Sequence, residues 1–237
     1  MPPRRRGPRV DVNVRTLLLD TAERLLGEQP RQAASLRAIA LEAGVTPAAL
    51  LHHFADRNDL LDAVVARRFG AVTEKTSARL TALINSEQNV GVDAVIAAVL
   101  EPLIEVVDGD PVGGFLWLRI FSDLALTGSP VWRRAISAET DLARLYIAAA
   151  GRAMPDLSDA EVNTRTLIAL YSALAVLANA DLEAFGRPLG PTGLDPLFVQ
   201  QLLLFTSAGL AANPVPKKPA PKPRRQRATR LSPTRSR

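Results

Sequence analysis

The 237-residue chain contains no cysteine, which excludes disulfides, thiolate metal sites and thiol nucleophiles. Histidine, tryptophan and tyrosine occur only twice each, and aromatics make up 5% of the residues. Apolar runs are broken by charges before they reach the roughly 20 residues that a bilayer span needs. The basic start "MPPRRRGPRV" leads into a polar amphipathic stretch instead of the apolar core of a signal peptide. A soluble, cytoplasmic protein is therefore expected. Paired carboxylates, a metal-ligand cluster and a phosphate loop at chemical spacing are also missing. "GDPVGG" (109–114) is a glycine-rich turn without the lysine that a phosphate cradle requires. Neither an enzyme nor a cofactor or metal site is expected.

Apolar residues, mainly alanine and leucine, form 47% of the chain, a balance that favours helix. The net charge of +5 is unevenly placed. The first ten residues hold four Arg and the stretch from 213 to 237 holds nine Lys/Arg, neither with an acid. The middle of the chain thus keeps 16 of the 29 basic residues against all 24 acidic ones. Ends of this kind attract polyanions through phosphate contacts, and they serve equally as solubilising extensions. Proline every few residues forbids a regular helix in 213–237, so that tail and the basic arm 1–10 are expected to be disordered.

Between the ends there is no sustained period-2 alternation, and Gly and Pro fall at the joints of helical stretches. Thr46-Pro47, Asp110-Pro111, Ser129-Pro130 and Asp195-Pro196 each pair an N-cap residue with proline at the first helical position. The side-chain oxygen accepts a free backbone N–H there, and proline's missing donor costs nothing. Ser158 with Glu161 forms a capping box, and Asp56 with Asp59 does a similar job. Helices are predicted over 12–27, 35–43, 46–53, 57–85, 90–107, 111–127, 130–153, 159–185 and 195–211. The fold class is all-α. The stretch "TRTLIALYSALAVLANADLEAF" (164–185) is apolar on nearly every face, as in a helix buried centrally or facing a second subunit.

One segment carries more than fold information. In "SLRAIALEAGVTPAALLHHF" (35–54), Leu36, Ile39, Ala40 and Ala43 recur at helical spacing behind the cap Ser35. Gly44 ends that helix in a left-handed turn, Val45 fills the turn, and Thr46 caps a second helix whose Leu50 and Phe54 return to the core. Helix, glycine-bearing turn and helix make a helix-turn-helix, whose second helix enters the major groove of DNA. Leu18, Ala22 and Leu25/Leu26 of the preceding segment would pack across the pair.

From Arg15 to Val64 the chain resembles the N-terminal head of TetR/AcrR-family transcriptional regulators. Their pattern "IAxxAGV[ST]xxxLYxxFxxKxxLL" reads here "IALEAGVTPAALLHHFADRNDLL". Two positions depart from it: Leu51 replaces a tyrosine and Arg57 a lysine. Arg57 keeps the charge, whereas Leu51 cannot donate a hydrogen bond to a phosphate. The resemblance implies DNA contact by Ser35, Arg37, Thr46, Pro47, Ala48, Leu51, His52, His53 and Arg57. Both histidines would lie at the exposed end of the recognition helix, where a short imidazole donor reaches phosphates or base edges. Adjacent histidines point about 100° apart on a helix and cannot chelate one metal. A surface histidine that touches nothing is the alternative.

The resemblance further implies a three-helix DNA-binding head (11–71) and a larger helical effector-binding and dimerisation domain (72–212). Helices 159–185 and 195–211 would pair two subunits, placing two heads on a roughly palindromic operator. Phe115, Trp117, Arg119, Phe121 and Tyr171 are candidates for an aromatic-lined pocket with a polar anchor. An ordinary core stripe with an Arg119–Asp123 i, i+4 ion pair explains the first four as well. The function read from the sequence is a dimeric regulator, expected to repress, that a small hydrophobic ligand releases from its operator. The competing reading is an architectural protein that coats DNA through its basic ends.

Overall fold

In the computed structural model, residues 9–28, 34–185, 189–190 and 192–213 are described. Residues 1–8 of the predicted arm and 214–237 of the predicted tail lie outside them. Ten α-helices follow in order: α1 (Arg9–Glu28), α2 (Leu36–Glu42), α3 (Pro47–His53), α4 (Arg57–Asn85), α5 (Val92–Gly109), α6 (Pro111–Leu126), α7 (Pro130–Ala138), α8 (Thr140–Ala153), α9 (Asp159–Leu177) and α10 (Pro196–Ala211). A 3₁₀ turn spans Glu183–Phe185, and a lone bridge joins Gly190 to Gly193. No described helix is long and apolar enough to cross a membrane.

The helix starts obey local chemistry. Ser35, Thr46, Asp56, Asp110, Ser129, Ser158 and Asp195 each accept a backbone N–H from their own first turn. Proline occupies the first position of α3, α6, α7 and α10. At α9 the box is complete, because the Glu161 carboxylate also accepts the Ser158 N–H at 2.9 Å. Asp59 behaves differently: it accepts the N–H of Ala55, one residue before the cap.

Two expected elements change. The predicted helix 130–153 breaks at Glu139, whose backbone (φ −101°, ψ 54°) is not helical. The break lets α7 pack on α4 and α6 while α8 turns to reach α4, α5 and α9. The predicted helix 159–185 stops at Leu177. There the Ala178 carbonyl accepts the Arg119 guanidinium at 3.1 Å, and the Asn179 side chain donates back to the Ala175 carbonyl at 2.8 Å. The central position belongs to α5, buried along most of its length and packed against α4, α6, α8 and α10. Helix α9 buries one stripe, Val162, Thr166, Ala169, Ala173, Leu174 and Leu177, and leaves Leu167 and Ile168 exposed.

Helix α4 runs through both parts of the molecule. Leu60, Leu61 and Val64 close the core of the head with Leu18 and Ala22 of α1, Ile39 and Ala40 of α2, Leu50 of α3, and Phe54. Further along, Phe69, Val72 and Leu80 belong to the body. Full burial of each such side chain contributes roughly 1.5–3 kcal/mol. The head also rests on the body through α1 and α6. At Gly27 an added Cβ would lie 2.7 Å from the Leu116 Cβ, so only glycine permits that approach.

Candidate nucleic-acid interface and effector cavity

The turn between α2 and α3 is built by two backbone hydrogen bonds. Val45 N–H donates to the Ala40 carbonyl at 3.0 Å and Gly44 N–H to the Leu41 carbonyl at 3.1 Å. Together they form a Schellman motif with Gly44 at φ 66° in the left-handed region. The Ser35 and Thr46 hydroxyls each accept a third-residue N–H at 3.1 Å, from Ala38 and Ala49. The two short helices thus hold a defined angle, with Leu50 and Phe54 anchoring α3 from below.

The opposite face is open. Ser35, Arg37, Thr46, Pro47, Ala48, Leu51 and His52 are exposed, and His53 is half-buried. The His52 and His53 ring centroids lie 5.4 Å apart in an edge-to-face arrangement, and His53 leans toward Phe54. The Arg15 guanidinium covers the Phe54 ring from α1 at 5.2 Å, a cation–π contact that the motif itself does not reveal. Arg57 is half-buried and donates to the Ala34 carbonyl. Its guanidinium ties the start of α4 to the residue that precedes the α2 cap. Of the nine predicted contact residues, seven are exposed and His53 is half-buried, while Arg57 is partly engaged in holding the motif together.

In the body, an apolar cavity of about 210 Å³ lies between α4, α5, α6, α7, α8 and α9. Phe121 and Tyr171, two of the five pocket candidates, line it. Phe115, Trp117 and Arg119 do not. Trp117 is fully buried, stacks on Phe121 with centroids 5.0 Å apart, and points its indole N–H at the α4 backbone. Phe115 lies beneath the Arg119 guanidinium, 5.0 Å from its centroid. Arg119 faces away from the cavity. It donates to the Ala178 and Gly27 carbonyls and forms its ion pair with Asp181 at 2.6 Å. The expected i, i+4 pairing with Asp123 is therefore replaced by a link between the ends of α1 and α9.

The remaining lining includes Phe69, Thr73 and Thr76 of α4, Leu103 of α5, Trp132 of α7, Tyr146 of α8, and Leu170 of α9. None of the lining residues carries a formal charge at neutral pH. The Tyr146 hydroxyl donates to the Thr166 carbonyl at 3.3 Å, and burial pushes its phenol well above the usual tyrosine range. These residues are separated by up to a hundred positions, so no local pattern marks them.

Between head and body, Glu23 of α1 is buried against two arginines of α4, Arg67 at 3.3 Å and Arg68 at 3.1 Å. Arg67 also reaches Asp20, and Arg68 reaches Asp110, the cap of α6. Burial raises the Glu23 carboxyl above its ordinary range more than Arg68 and Arg67 lower it.

Comparison with known proteins agrees with this architecture. Residues 18–64 match the family model for bacterial regulatory proteins of the tetR family, and residues 97–209 match the tetracyclin repressor-like C-terminal domain. The chain belongs to the TetR family, and its helix-turn-helix fold is that of a DNA-binding transcriptional regulator. Similar solved structures include the TetR-family regulator PfmR of Thermus thermophilus, at 15% identity and TM-score 0.53 over 82% of this chain and 97% of that one. A TetR-family regulator of Marinobacter aquaeolei shows 14% identity and TM-score 0.52 over 86% and 98%. AmtR of Mycobacterium smegmatis shows 18% identity and TM-score 0.52 over 90% and 92%. At these identities the likeness concerns the fold. No curated protein matches the sequence.

Proposed function

We propose that the chain is a homodimeric repressor that reads a roughly palindromic operator and leaves it when a small, neutral, hydrophobic molecule occupies the body cavity. The observation that carries the DNA reading is the exposed face of α3, with small residues at its start and both histidines at its end, on a head whose reverse face is buried. Pro47 and Ala48 let the helix approach the groove floor, and Arg37 and His52 supply donors for base edges or phosphates. The α2 and α3 N-termini at Ser35 and Thr46 favour phosphate. His53 adds a backbone contact, Leu51 offers only apolar contact, and Arg57 adds positive charge while bracing the motif.

The dimer reading rests on the outer surface of α9 and α10. Ile168, Leu197, Leu204 and Phe205 are exposed there, Phe205 by 81%. Burying such a face against its twofold copy would set two heads about one helical turn of DNA apart. The release reading rests on α4, which lines the cavity with Phe69 and Val72 and closes the head core with Leu60 and Leu61. A ligand that prefers one position of α4 biases the spacing of the heads, by no more than its differential affinity for the two states.

The test is binding to the chain's own upstream DNA and to a scrambled duplex of equal length. The expected preference for the native fragment is roughly 10³-fold or more. Ala48→Glu, which directs a carboxylate at the duplex from an exposed position, should remove that preference while the helical content stays unchanged. Equal binding of both duplexes by the parent chain would refute the reading.

A further inference from the structure

The wall of the body cavity is not uniformly apolar. Among the described residues Thr73, Thr76, Tyr146 and Tyr171 bring hydroxyls to it. Two of these are committed to the fold: Thr73 donates to the Gly70 carbonyl at 3.0 Å, and Tyr146 to the Thr166 carbonyl at 3.3 Å. Tyr171 is half-buried, so bulk water reaches it. Thr76 is different. It is 4% exposed, and its hydroxyl has no hydrogen-bond partner among the described residues. A helical threonine commonly gives that hydroxyl to a carbonyl three or four residues back, as Thr166 and Thr206 do here. The Ser122 oxygen of α6 is also unpartnered, but it is sealed from all accessible space. The Thr76 oxygen is not sealed, and the space that it borders is the cavity.

We propose that the cavity selects a flat, neutral aromatic molecule bearing one hydroxyl or carbonyl, whose oxygen is held by the Thr76 hydroxyl. The inference rests on the reading of this cavity as the effector site, and it names the class of the effector. Size and shape come from the walls. An apolar cavity of roughly 150 Å³ takes benzene, so about 210 Å³ has room for a second fused ring. Phe69, Phe121 and Trp132 form one aromatic wall, with the Phe121 centroid 5.4 Å from that of Phe69 and 5.2 Å from that of Trp132. Such a wall favours a flat partner. A charged ligand is disfavoured, because no described lining residue carries a charge to pair with it. The single oxygen matches the single buried hydroxyl left uncommitted. That hydroxyl both donates and accepts, so a ligand hydroxyl or carbonyl serves equally. Water is a poor substitute: a buried water is held by about three hydrogen bonds, and Thr73 and Tyr146 are already bonded to backbone. Thr76 lies on α4, so the ligand would bond to the helix that also closes the head core.

The experiment is equilibrium dialysis of the full chain against β-naphthol and against β-methylnaphthalene, which has nearly the same shape without the oxygen. The parent chain is compared with Thr76→Val and Thr76→Ser, each checked for unchanged helical content. The quantity read is the ratio of the two dissociation constants, because the probes' different hydration cancels between proteins. Thr76→Val keeps the shape of the side chain and removes its oxygen, so the preference for β-naphthol should fall roughly tenfold. Thr76→Ser keeps the oxygen and should retain the preference. An unchanged ratio in Thr76→Val would overturn the proposal. So would a ratio that falls with Tyr171→Phe instead, which would move the anchor to α9. Binding of neither probe by the parent chain would count against the effector-cavity reading itself, and the anchor would fall with it.

Discussion

The indole N–H of Trp117 donates to the carbonyl of Val64 at 3.1 Å, joining the core of the body to the stretch of α4 that closes the head. The Val65 carbonyl shares the same donor at 3.2 Å. This contact pins α4 at the point where its side chains pass from one core to the other. Trp117→Phe should lower unfolding free energy by about 1–3 kcal/mol, from the lost hydrogen bond together with a small cavity. Denaturant titration would measure it. An unchanged midpoint would show that the bond contributes nothing.

Glu23 ties the head to the same helix electrostatically. Because burial raises its folded pKa, the native state holds the proton more tightly than the unfolded chain. Its contribution is therefore fully present below the unfolded value of 4.5 and is lost as pH rises through the folded pKa. Glu23→Gln removes that titration. The parent chain should thus lose stability relative to the variant between pH 4 and pH 7, as read from paired unfolding curves. A difference that grows in the parent's favour over this range would mean that Arg67 and Arg68 outweigh the cost of burial.

Gly44 turns α2 into α3 with φ at 66° and nothing within 4 Å of a Cβ. The cost of Gly44→Ala is therefore conformational and not steric, about 1–2 kcal/mol. Thermal unfolding should show a drop of several degrees. Gly70, helical and equally open, should instead gain about 0.5–1 kcal/mol on substitution by alanine.

Phe205 is 81% exposed on α10 beside Leu204. Phe205→Asp would place a charge in the proposed subunit interface, and sedimentation should show monomer at micromolar concentration, where the parent chain is expected to sediment as a dimer. Cooperative binding to a palindromic duplex should weaken in parallel. A variant that sediments as the parent does would locate the interface elsewhere.

What the sequence determined by itself is what neighbours along the chain can settle. Ser35, Gly44 and Thr46 specify a helix, a left-handed turn and a second helix within twelve residues, because caps and φ preferences act over one turn. The Thr46-Pro47, Asp110-Pro111, Ser129-Pro130 and Asp195-Pro196 starts were legible for the same reason, and so was the buried stripe of the head. The tertiary structure decided whatever depended on distant partners. Arg119 and Asp123 are one turn apart, yet the guanidinium pairs with Asp181 and with carbonyls 59 and 92 positions away. Trp117 went to the α4 backbone and not into the cavity, since a buried indole N–H needs an acceptor and the nearest lay there. The break at Glu139 and the end of α9 at Leu177 follow from packing and from a side chain that captures a helix-end carbonyl. The cavity belongs to no segment at all, because its wall exists only where six helices meet.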